Sequence, residues 1–414
     1  MDNTADKRQI FKFGMYGFLK NLKFFEPFLI VFFMLSGLSF LEIGLLYSIR
    51  EIIIYLFEVP SGVLADRYGR KTELVICFIF YIISFIVFFF GTSFYVYLIG
   101  MILFGLGEAF RSGTHKAIIM SYLEINNIQY SKSMIYGKTR SYSLIGTTVS
   151  SLAAIGLYFY FSSIAWLFII AIIPYILDLL LILSYPNYLN QRQDEKLSFK
   201  GFAREGRNSI KYVFKNKNIF NLLLGSASYN AGFKSIKNYI QPLIVAITLS
   251  VVIFSSRSVE ENTIIYIGVI TAFISLISAF ASLNAHKISS YFSRDKVISI
   301  MWLLSGISFV VLSFYTNSIY ILVIVFLFIY LFLNIRKPLM IEKIGEETES
   351  NKRASVLSIE SQFTSLLIAV FAPILGYIAD VYSISLMLYL VGISMVVIYI
   401  LRLITSRKFV KLSD

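Results

Sequence analysis

The stretch Glu58-Val-Pro-Ser-Gly-Val-Leu-Ala-Asp-Arg-Tyr-Gly-Arg-Lys71 closes a long apolar segment in the first part of the chain. Gly69 permits a tight turn there, because glycine adopts backbone angles that other residues avoid. The basic residues on either side of it favour the cytoplasmic surface of a membrane. Asp66, at the end of an apolar helix, needs a partner such as a helix N-terminus or an arginine. The stretch therefore predicts a membrane-spanning helix that turns back at the cytoplasmic surface.

Seven positions of this stretch match the motif G-x-L-x-D-R-x-G-R-K at fixed spacing: Gly62, Leu64, Asp66, Arg67, Gly69, Arg70 and Lys71. The chain thereby resembles the major facilitator superfamily of secondary transporters, in which this signature lies between helices 2 and 3. The residues around the signature are similar to those of bacterial and archaeal efflux-type members. The resemblance implies alternating access between two six-helix bundles. It also implies that the signature pins the cytoplasmic side of the outward-open state, with Asp66 near the start of helix 11 and Arg70 among acidic residues. A basic loop after an unrelated spanning helix is the other interpretation.

Composition agrees with a membrane protein built from helices. The chain has 414 residues, of which 57% are hydrophobic and 17% are aromatic. Apolar segments of roughly 20 residues, the length that crosses a bilayer, recur along it. We predict an all-α membrane protein with twelve transmembrane helices in two pseudo-symmetric six-helix bundles. In chain order the predicted spans 1 to 12 are 12–36, 39–65, 73–91, 94–122, 131–161, 163–184, 217–250, 263–289, 296–314, 317–341, 354–378 and 384–405.

A polar, basic stretch separates spans 6 and 7. It divides the chain into an N-terminal six-helix bundle (1–184), a cytoplasmic linker (185–217) and a C-terminal six-helix bundle (218–414). Apolar residues punctuate the linker, so it is either an amphipathic segment on an anionic lipid surface or a solvated connection. Most other Lys and Arg residues lie at the chain ends and in the loops after spans 2, 4, 8 and 10. This distribution predicts a multi-pass protein of the cytoplasmic membrane with both termini in the cytoplasm.

Charge and composition argue against several other classes of protein. The net charge of +13 lies mainly on the predicted cytoplasmic segments, so it indicates membrane topology and not a nucleic-acid partner. One cysteine and two histidines that are far apart form no zinc pattern, and we expect no metal and no cofactor. The chain has no P-loop and no nucleophile elbow, so we expect that it is not an enzyme. One chain suffices for the architecture, which predicts a functional monomer in the lipid bilayer.

Ionisable residues inside the spans are candidates for proton coupling, because a charge at that depth is costly and is usually kept for a function. Glu108, Arg111 and His115 follow the spacing i, i+3 and i+7, which predicts one helical face. Either a proton-exchanging carboxylate or a permanent Glu108–Arg111 ion pair fits this pattern. The predicted proton-coupling residues are Glu51, Glu108, His115 and Glu26.

A second group of polar residues predicts a substrate cavity. In span 7 such residues recur at i, i+4, i+7 and i+11, so they form one stripe. Two lysines at this depth need carboxylate partners or an anionic ligand. If the polar faces of both halves point inward, they line a central cavity between the two bundles. The predicted cavity residues are Arg111, Asn230, Lys234, Lys237, Gln241, Asn334 and Arg336.

Two transport functions follow from these charges, both with protons as the coupling ion. The first is export of a drug or metabolite, in which Glu51 and Glu108 carry the proton and aromatic residues accommodate amphiphilic cargo. The second is import of an organic anion or a zwitterion, which the basic residues of the cavity would clamp. The further marks of drug–proton antiporters are kept only in part. Met101 stands where they have an arginine, and Ser150 and Ser151 stand where they have glycine and proline, although Gly137 and Gly146 keep part of the spacing. Drug antiport therefore stays open.

Overall fold

The computed structural model describes residues 4–126, 128, 132–190, 199–249, 254–291, 293–349 and 352–410, and these are almost entirely helical. Short 3-10 turns cover Glu26–Phe28, Asn187–Leu189 and Lys237–Tyr239. The α-helices are α1 Thr4–Lys20, α2 Leu29–Leu35, α3 Phe40–Tyr68, α4 Arg70–Phe90, α5 Phe94–Arg111, α6 Thr114–Ile125, α7 Lys132–Phe161, α8 Trp166–Leu183, α9 Phe199–Lys215, α10 Lys217–Ile236, α11 Ile240–Thr248, α12 Val259–Tyr291, α13 Arg294–Phe314, α14 Ile319–Glu347, α15 Arg353–Val381 and α16 Ile384–Val410.

Helices lie over all twelve predicted spans, which confirms the all-α fold of two six-helix bundles. Span 1 comprises α1 and α2, span 4 comprises α5 and α6, and span 7 comprises α10 and α11. The remaining spans are single helices, and α9 belongs to the linker. Within the described ranges, eight helical segments are long and apolar enough by themselves to cross a membrane.

Three spans that the sequence predicts as continuous are interrupted in the structure. Span 1 leaves the α-helix after Lys20 and resumes at Leu29, and between them Pro27 lacks the backbone N–H that a helix interior uses. In span 4, Gly113 has a φ of 78° and separates α5 from α6. In span 7 the turn Lys237–Tyr239 separates α10 from α11. Each break leaves backbone groups that need partners outside their own helix.

The signature turn has the backbone geometry that the glycine predicts. The helix α3 ends at Tyr68, Gly69 has a φ of 95°, and α4 begins at Arg70. The side-chain oxygen of Asn190 accepts a hydrogen bond from the backbone N–H of Lys71 at 3.0 Å, so it closes the turn from outside. A Cβ at position 69 would collide with this asparagine, and its φ would be strained as well.

The basic signature residues bind their own half of the molecule. The ammonium group of Lys71 donates to the carbonyl oxygens of Leu183 at 2.6 Å and Tyr185 at 3.0 Å, where span 6 ends. The guanidinium group of Arg70 donates to the hydroxyl group of Ser121 at 2.7 Å, in span 4. Arg70 therefore binds a hydroxyl group where the resemblance implies acidic residues.

Three further signature residues, Gly62, Asp66 and Arg67, lie in α3. Gly62 lies within α3, and a Cβ there would meet open space. The guanidinium group of Arg67 lies 5.3 Å from the ring centre of Tyr68. The side chain of Asp66 lies outside the described part of the structure, so its predicted partner at the start of helix 11 stays a prediction.

We call the end of the molecule that carries the Gly69 turn the signature end, and the end away from it the opposite end. Close contacts join the two halves at the opposite end. At the opposite end span 2 packs along span 11. The carboxylate of Asp380 accepts hydrogen bonds from the backbone N–H groups of Phe40 at 2.9 Å and Leu41 at 2.6 Å, where α3 begins. Farther along, the hydroxyl group of Ser48 donates to the carbonyl oxygen of Ala369 at 2.6 Å.

Glycines permit the close approach of spans 2 and 11. A Cβ on Gly44 or on Gly376 would collide with the backbone of the facing helix. Spans 5 and 8 make a second contact between the halves, where the hydroxyl group of Tyr158 donates to the carboxylate of Glu260 at 2.8 Å. Gly268 brings span 8 against Ile155 of span 5. The opposite end is therefore held by two pairs of spans.

The linker contains the helix α9, Phe199–Lys215. Val213 is fully buried in a small apolar cluster with residues of spans 7, 10 and 11, whereas Phe214 is 60% exposed. The exposed residues of α9 include four cations: Arg204, Arg207, Lys211 and Lys215. An amphipathic segment, one of the two interpretations of the linker, agrees with this helix, and its contact with lipid stays a prediction.

Candidate functional site

A cavity of about 250 Å³ lies between the two halves, at the level where spans 1 and 7 are interrupted. Spans 1, 5, 7, 8 and 10 contribute to it, so it is central, as the polar stripes predict. Its lining residues are Asn21, Lys23, Glu26, Pro27, Arg140, Ser143, Leu144, Thr147, Ser150, Ser151, Phe233, Lys237, Asn238, Ile240, Gln241, Thr271, Ser275, Ser278, Tyr330, Leu333 and Asn334. The lining is mainly polar, with three cations and one carboxylate.

Gln241 joins the two broken spans across the cavity wall. Its side-chain oxygen accepts hydrogen bonds from the backbone N–H groups of Ile30 at 2.8 Å and Val31 at 3.3 Å, in the first turn of α2. Its amide nitrogen donates to the carbonyl oxygen of Glu26 at 3.5 Å. These backbone groups have no partner within their own short helix, and Gln241 supplies one. The predicted cavity residue therefore also positions span 1.

A chain of charges leads from the cavity into the N-terminal half. Glu26 is exposed to the cavity, and its carboxylate lies 3.6 Å from the ammonium group of Lys23. The same ammonium group lies 3.5 Å from the carboxylate of Glu108. Glu108 also pairs with Arg111 and accepts a hydrogen bond from Tyr81 at 2.7 Å. Lys23 is thus shared by a carboxylate at the cavity and a carboxylate behind it.

Two predicted proton-coupling residues lie away from the cavity. Glu51 is 3% exposed, forms an ion pair with Arg50 at 2.7 Å and accepts a hydrogen bond from Ser365 of span 11 at 2.9 Å. His115 stacks on Tyr16 with ring centres 3.6 Å apart. Because α5 ends at Arg111, His115 lies in the first turn of a separate helix, and the single continuous face predicted with Glu108 is not formed.

The polar residues of span 7 lie in different surroundings and do not share one cavity. Asn230 donates to the carboxylate of Glu360 of span 11 at 2.9 Å and does not line the cavity. Lys234 is exposed and borders a narrow gap between spans 2, 7 and 11. Lys237 and Gln241 do line the central cavity. The 3-10 turn at Lys237–Tyr239 changes the helical phase, so the spacing i+7 and i+11 no longer predicts a common face.

Of the other predicted cavity residues, one lines the cavity and two do not. Asn334 lines the cavity and accepts a hydrogen bond from Arg140 of span 5 at 3.4 Å. Arg336 does not line it, because its guanidinium group lies 4.0 Å from the ring centre of Tyr229, inside the C-terminal half, and it is 2% exposed. Arg111 stands behind Lys23 in its ion pair with Glu108 and is likewise absent from the lining.

The sequence analysis missed a set of hydroxyl groups that form much of the wall. Span 5 contributes serine and threonine at i, i+4, i+7 and i+8, and span 8 contributes them at i, i+4 and i+7. This helical spacing is a signal in the sequence, but uncharged polar residues are common in membrane spans, so the spacing alone does not indicate a cavity. The missed hydroxyl residues are Ser143, Thr147, Ser150, Ser151, Thr271, Ser275 and Ser278.

Three comparisons relate the chain to known proteins. The family model of the Major Facilitator Superfamily matches residues 21–256 and 243–412. An uncharacterized MFS-type transporter of Bacillus subtilis (strain 168), YxaM, is 23% identical over 273 residues, which cover 64% of this chain and 62% of that relative. The match therefore spans about three-fifths of the relative's length.

Solved structures share the fold at low sequence identity. The nucleoside transporter NupG is 15% identical with a TM-score of 0.75, and the match covers 94% of this chain and 97% of that one. A POT family transporter in complex with a thioalcohol conjugated peptide is 14% identical with a TM-score of 0.74, covering 97% and 96%. At such identities the likeness concerns the arrangement of helices.

Proposed function

Because the chain belongs to the major facilitator superfamily, we propose that it moves a small anionic or zwitterionic metabolite across the cytoplasmic membrane by alternating access, coupled to protons. Both termini lie in the cytoplasm in this proposal, so the signature end faces the cytoplasm. The protein acts as a monomer in the bilayer. The observation that carries the proposal is the central cavity, whose charged lining residues are Lys23, Arg140, Lys237 and Glu26.

The chemistry of the lining supports the substrate class. Hydroxyl and amide side chains supply donors and acceptors on several walls, and the cations exceed the carboxylates. Phe233 and Tyr330 are the aromatic residues of the described lining, so the cavity offers little surface for amphiphilic cargo. A lipophilic cation would meet like charge there. Export of lipophilic drugs, the first function that the sequence raises, therefore has less support than transport of a polar anion or zwitterion.

The mechanism requires the contacts between the halves to alternate. In the structure the opposite end is closed by the contacts of spans 2 and 11 and of spans 5 and 8. Substrate exchange with the cytoplasm takes place through the signature end. Rocking of the halves then separates Asp380 from the start of α3 and opens the cavity to the other side of the membrane. Bound substrate lowers the free energy of the intermediate in which both ends are closed, because it contacts both halves.

We assign proton coupling to Lys23 and the two carboxylates that share it, Glu26 and Glu108. When Glu26 or Glu108 accepts a proton, Lys23 loses one of its two carboxylate partners and can bind an anionic group of the substrate. Proton and anion then bind more tightly together than apart, which is the condition for symport. We therefore propose import with protons. A membrane potential that is negative inside would otherwise oppose the entry of an anion.

The first test is ligand-dependent stabilisation of the purified full-length protein. Thermal unfolding is followed with organic anions, zwitterions and lipophilic cations at one acidic and one neutral pH, because a ligand that binds the folded state raises its stability. We expect stabilisation by anions or zwitterions and its loss in the Lys237→Gln variant. The exposed Lys296 of span 9 is the matched control, and Lys296→Gln keeps the response. Stabilisation by lipophilic cations alone would refute the proposal.

The second test measures direction. The protein is placed in vesicles, and uptake of a stabilising ligand is followed under a pH gradient of either sign. Symport predicts accumulation on the alkaline side, toward which protons flow. Accumulation on the acidic side would establish antiport, and hence export in the cell, while leaving the substrate class unchanged.

A further inference from the structure

Four cations from both halves lie in or beside the space between the bundles. Arg140 of span 5 and Lys237 of span 7 line the cavity. Lys234 of span 7 and Lys337 of span 10 are exposed, and Lys337 lies within electrostatic range of both Arg140 and Lys234. The positive charge thus extends beyond the cavity itself, along both sides of the interface.

These four cations have no ion-pair partner in the part of the chain that the structure describes. Across the described ranges, no carboxylate lies within 4.0 Å of Arg140, Lys234, Lys237 or Lys337, whereas Arg50 is paired with its neighbour on span 2. Lys23 and Arg111 are likewise balanced by two carboxylates, those of Glu26 and Glu108.

Four acidic residues act on these cations from longer range, and two of them are in ion pairs of their own. Glu26 and Glu51 act on Lys237 and Lys234 from beyond ion-pair distance, and both are already in ion pairs. Glu360 acts on Lys337 from a similar distance and accepts hydrogen bonds from Ser226 and Asn230. Glu58 acts on Lys234 and accepts a hydrogen bond from Ser112. The donors to Glu58 and Glu360 are uncharged, so these two carboxylates offset two of the four cations and a positive charge of two remains between the halves.

Clustered cations at membrane depth require negative charge, and Glu58 and Glu360 offset two of the four. A singly charged substrate would leave one cation without a counter-charge. We infer that the transported molecule carries at least two negative charges at neutral pH, as a small dicarboxylate or a phosphate monoester does. This inference rests on the proposed function, and it names the substrate class more narrowly. The guanidinium group of Arg140 suits one anionic group, because its planar fork binds carboxylate or phosphate through two hydrogen bonds. Asn334 holds that guanidinium group from the other half.

A dianion would also connect the halves, which a monoanion cannot do as well. Arg140 belongs to the N-terminal half, and the three lysines belong to the C-terminal half. When the space is empty, like charges repel across the interface and favour separation at the signature end. An anion with two charged groups binds Arg140 with one group and a lysine with the other, so the repulsion becomes attraction. The charge number of the substrate thereby controls closure of the signature end.

The test compares ligands that differ in charge at matched ionic strength. Thermal unfolding of the full-length protein gives apparent Kd values for succinate and glycerol 3-phosphate as dianions, lactate as a monoanion and glycine as a zwitterion. We expect at least one dianion to bind about tenfold more tightly than lactate, the ratio that a difference of about 1.4 kcal/mol produces. Comparison of succinate with glycerol 3-phosphate distinguishes a dicarboxylate from a phosphate ester.

Substitutions identify the residue that binds the second anionic group of the substrate. Lys337→Gln should weaken dianion binding about tenfold and change lactate binding less than twofold, and Lys296→Gln should change neither. The unfolding temperature without ligand shows whether each variant is folded. Equal binding of lactate and the dianions, or equal loss of both in Lys337→Gln, would overturn the inference. If lactate or glycine stabilises the protein and no dianion does, the inference is wrong and the proposed transport function stands.

Discussion

At the scale of single residues, the structure separates groups that line the cavity from groups that hold the helices. Gln241 belongs to both classes, because it lines the cavity and caps the first turn of α2. Glu51 belongs to the second class, since its partners Arg50 and Ser365 fasten span 2 to span 11. A polar residue in a span can therefore be needed for architecture, and its chemical type alone does not identify the site.

We expect Gln241→Leu to destabilise the protein by about 2–3 kcal/mol, because buried backbone N–H groups at the start of α2 lose their acceptor. Thermal unfolding of the purified protein measures the change. Gln362→Leu is the control, since Gln362 of span 11 is half-buried and has no hydrogen bond in the described part of the structure. A loss no larger than that of the control would show that water or another side chain caps α2.

Glu26 and Glu51 should respond differently when the charge is removed. In Glu26→Gln we expect proton-driven uptake to fall at least tenfold while exchange of substrate between two equal pools continues, because binding is kept and coupling is lost. In Glu51→Gln we expect lower stability, since Arg50 is left without its carboxylate. Transport in vesicles and thermal unfolding give the two readouts. Full retention of driven uptake in Glu26→Gln would remove this residue from the coupling mechanism.

At the scale of helices, the turns explain most of what a pattern of apolar residues cannot predict. Gly69 requires its positive φ, and the facing Asn190 fills the space where a Cβ would lie. Gly62 is part of the same signature but lies inside α3, six residues before its end, with open space beside it. The two glycines are therefore a matched pair for substitution.

We expect Gly69→Ala to lower the stability of the folded protein by about 1–2 kcal/mol or more, from backbone strain and the collision with Asn190. Gly62→Ala should be neutral or slightly stabilising, because alanine favours a helix interior over glycine by about 1 kcal/mol. Unfolding temperature and the yield of monodisperse protein compare the two variants. Equal effects would mean that the turn relaxes to accept a side chain.

The sequence predicts the spans well because a bilayer imposes both length and apolarity on a helix. It does not predict the breaks in spans 1, 4 and 7, since apolar residues continue through them and the partners that satisfy the backbone come from distant segments, as Gln241 does. The same reason limits prediction of the site. Of the residues predicted for the cavity, Lys237, Gln241 and Asn334 line it. Arg336 faces the interior of its own half, where its guanidinium group lies against Tyr229 and Trp302.

At the scale of the whole molecule, the contacts between halves determine which end is open. Hydrogen bonds from Phe40 and Leu41 to Asp380, and from Ser48 to Ala369, hold the opposite end closed. In the inference drawn above, like charges favour separation at the signature end. Closure of one end and repulsion at the other would then favour the same state of the proposed transport cycle.

We expect Asp380→Asn to shift the population toward the state open at the opposite end by about tenfold, because a hydrogen bond to a charged acceptor contributes roughly 1–2 kcal/mol more than one to a neutral acceptor. Labelling by a membrane-impermeant maleimide of a cysteine at Asn238, in a Cys77→Ser background, measures access from outside. Glu42→Gln is the control at the same end, since Glu42 caps its own helix and does not bridge the halves. Unchanged labelling in Asp380→Asn would assign the closure to the packing of spans 2 and 11.

The glycines at the interface of spans 2 and 11 also suggest a way to purify the protein in a single chosen conformation. Gly44 and Gly376 each lie against the backbone of the facing helix with no room for a side chain. A leucine at either position would act as a permanent spacer, and the conformer with separated helices would be the one that is purified. Antibodies and inhibitors could then be selected against the conformer with separated helices, by a single substitution outside the lining of the central cavity.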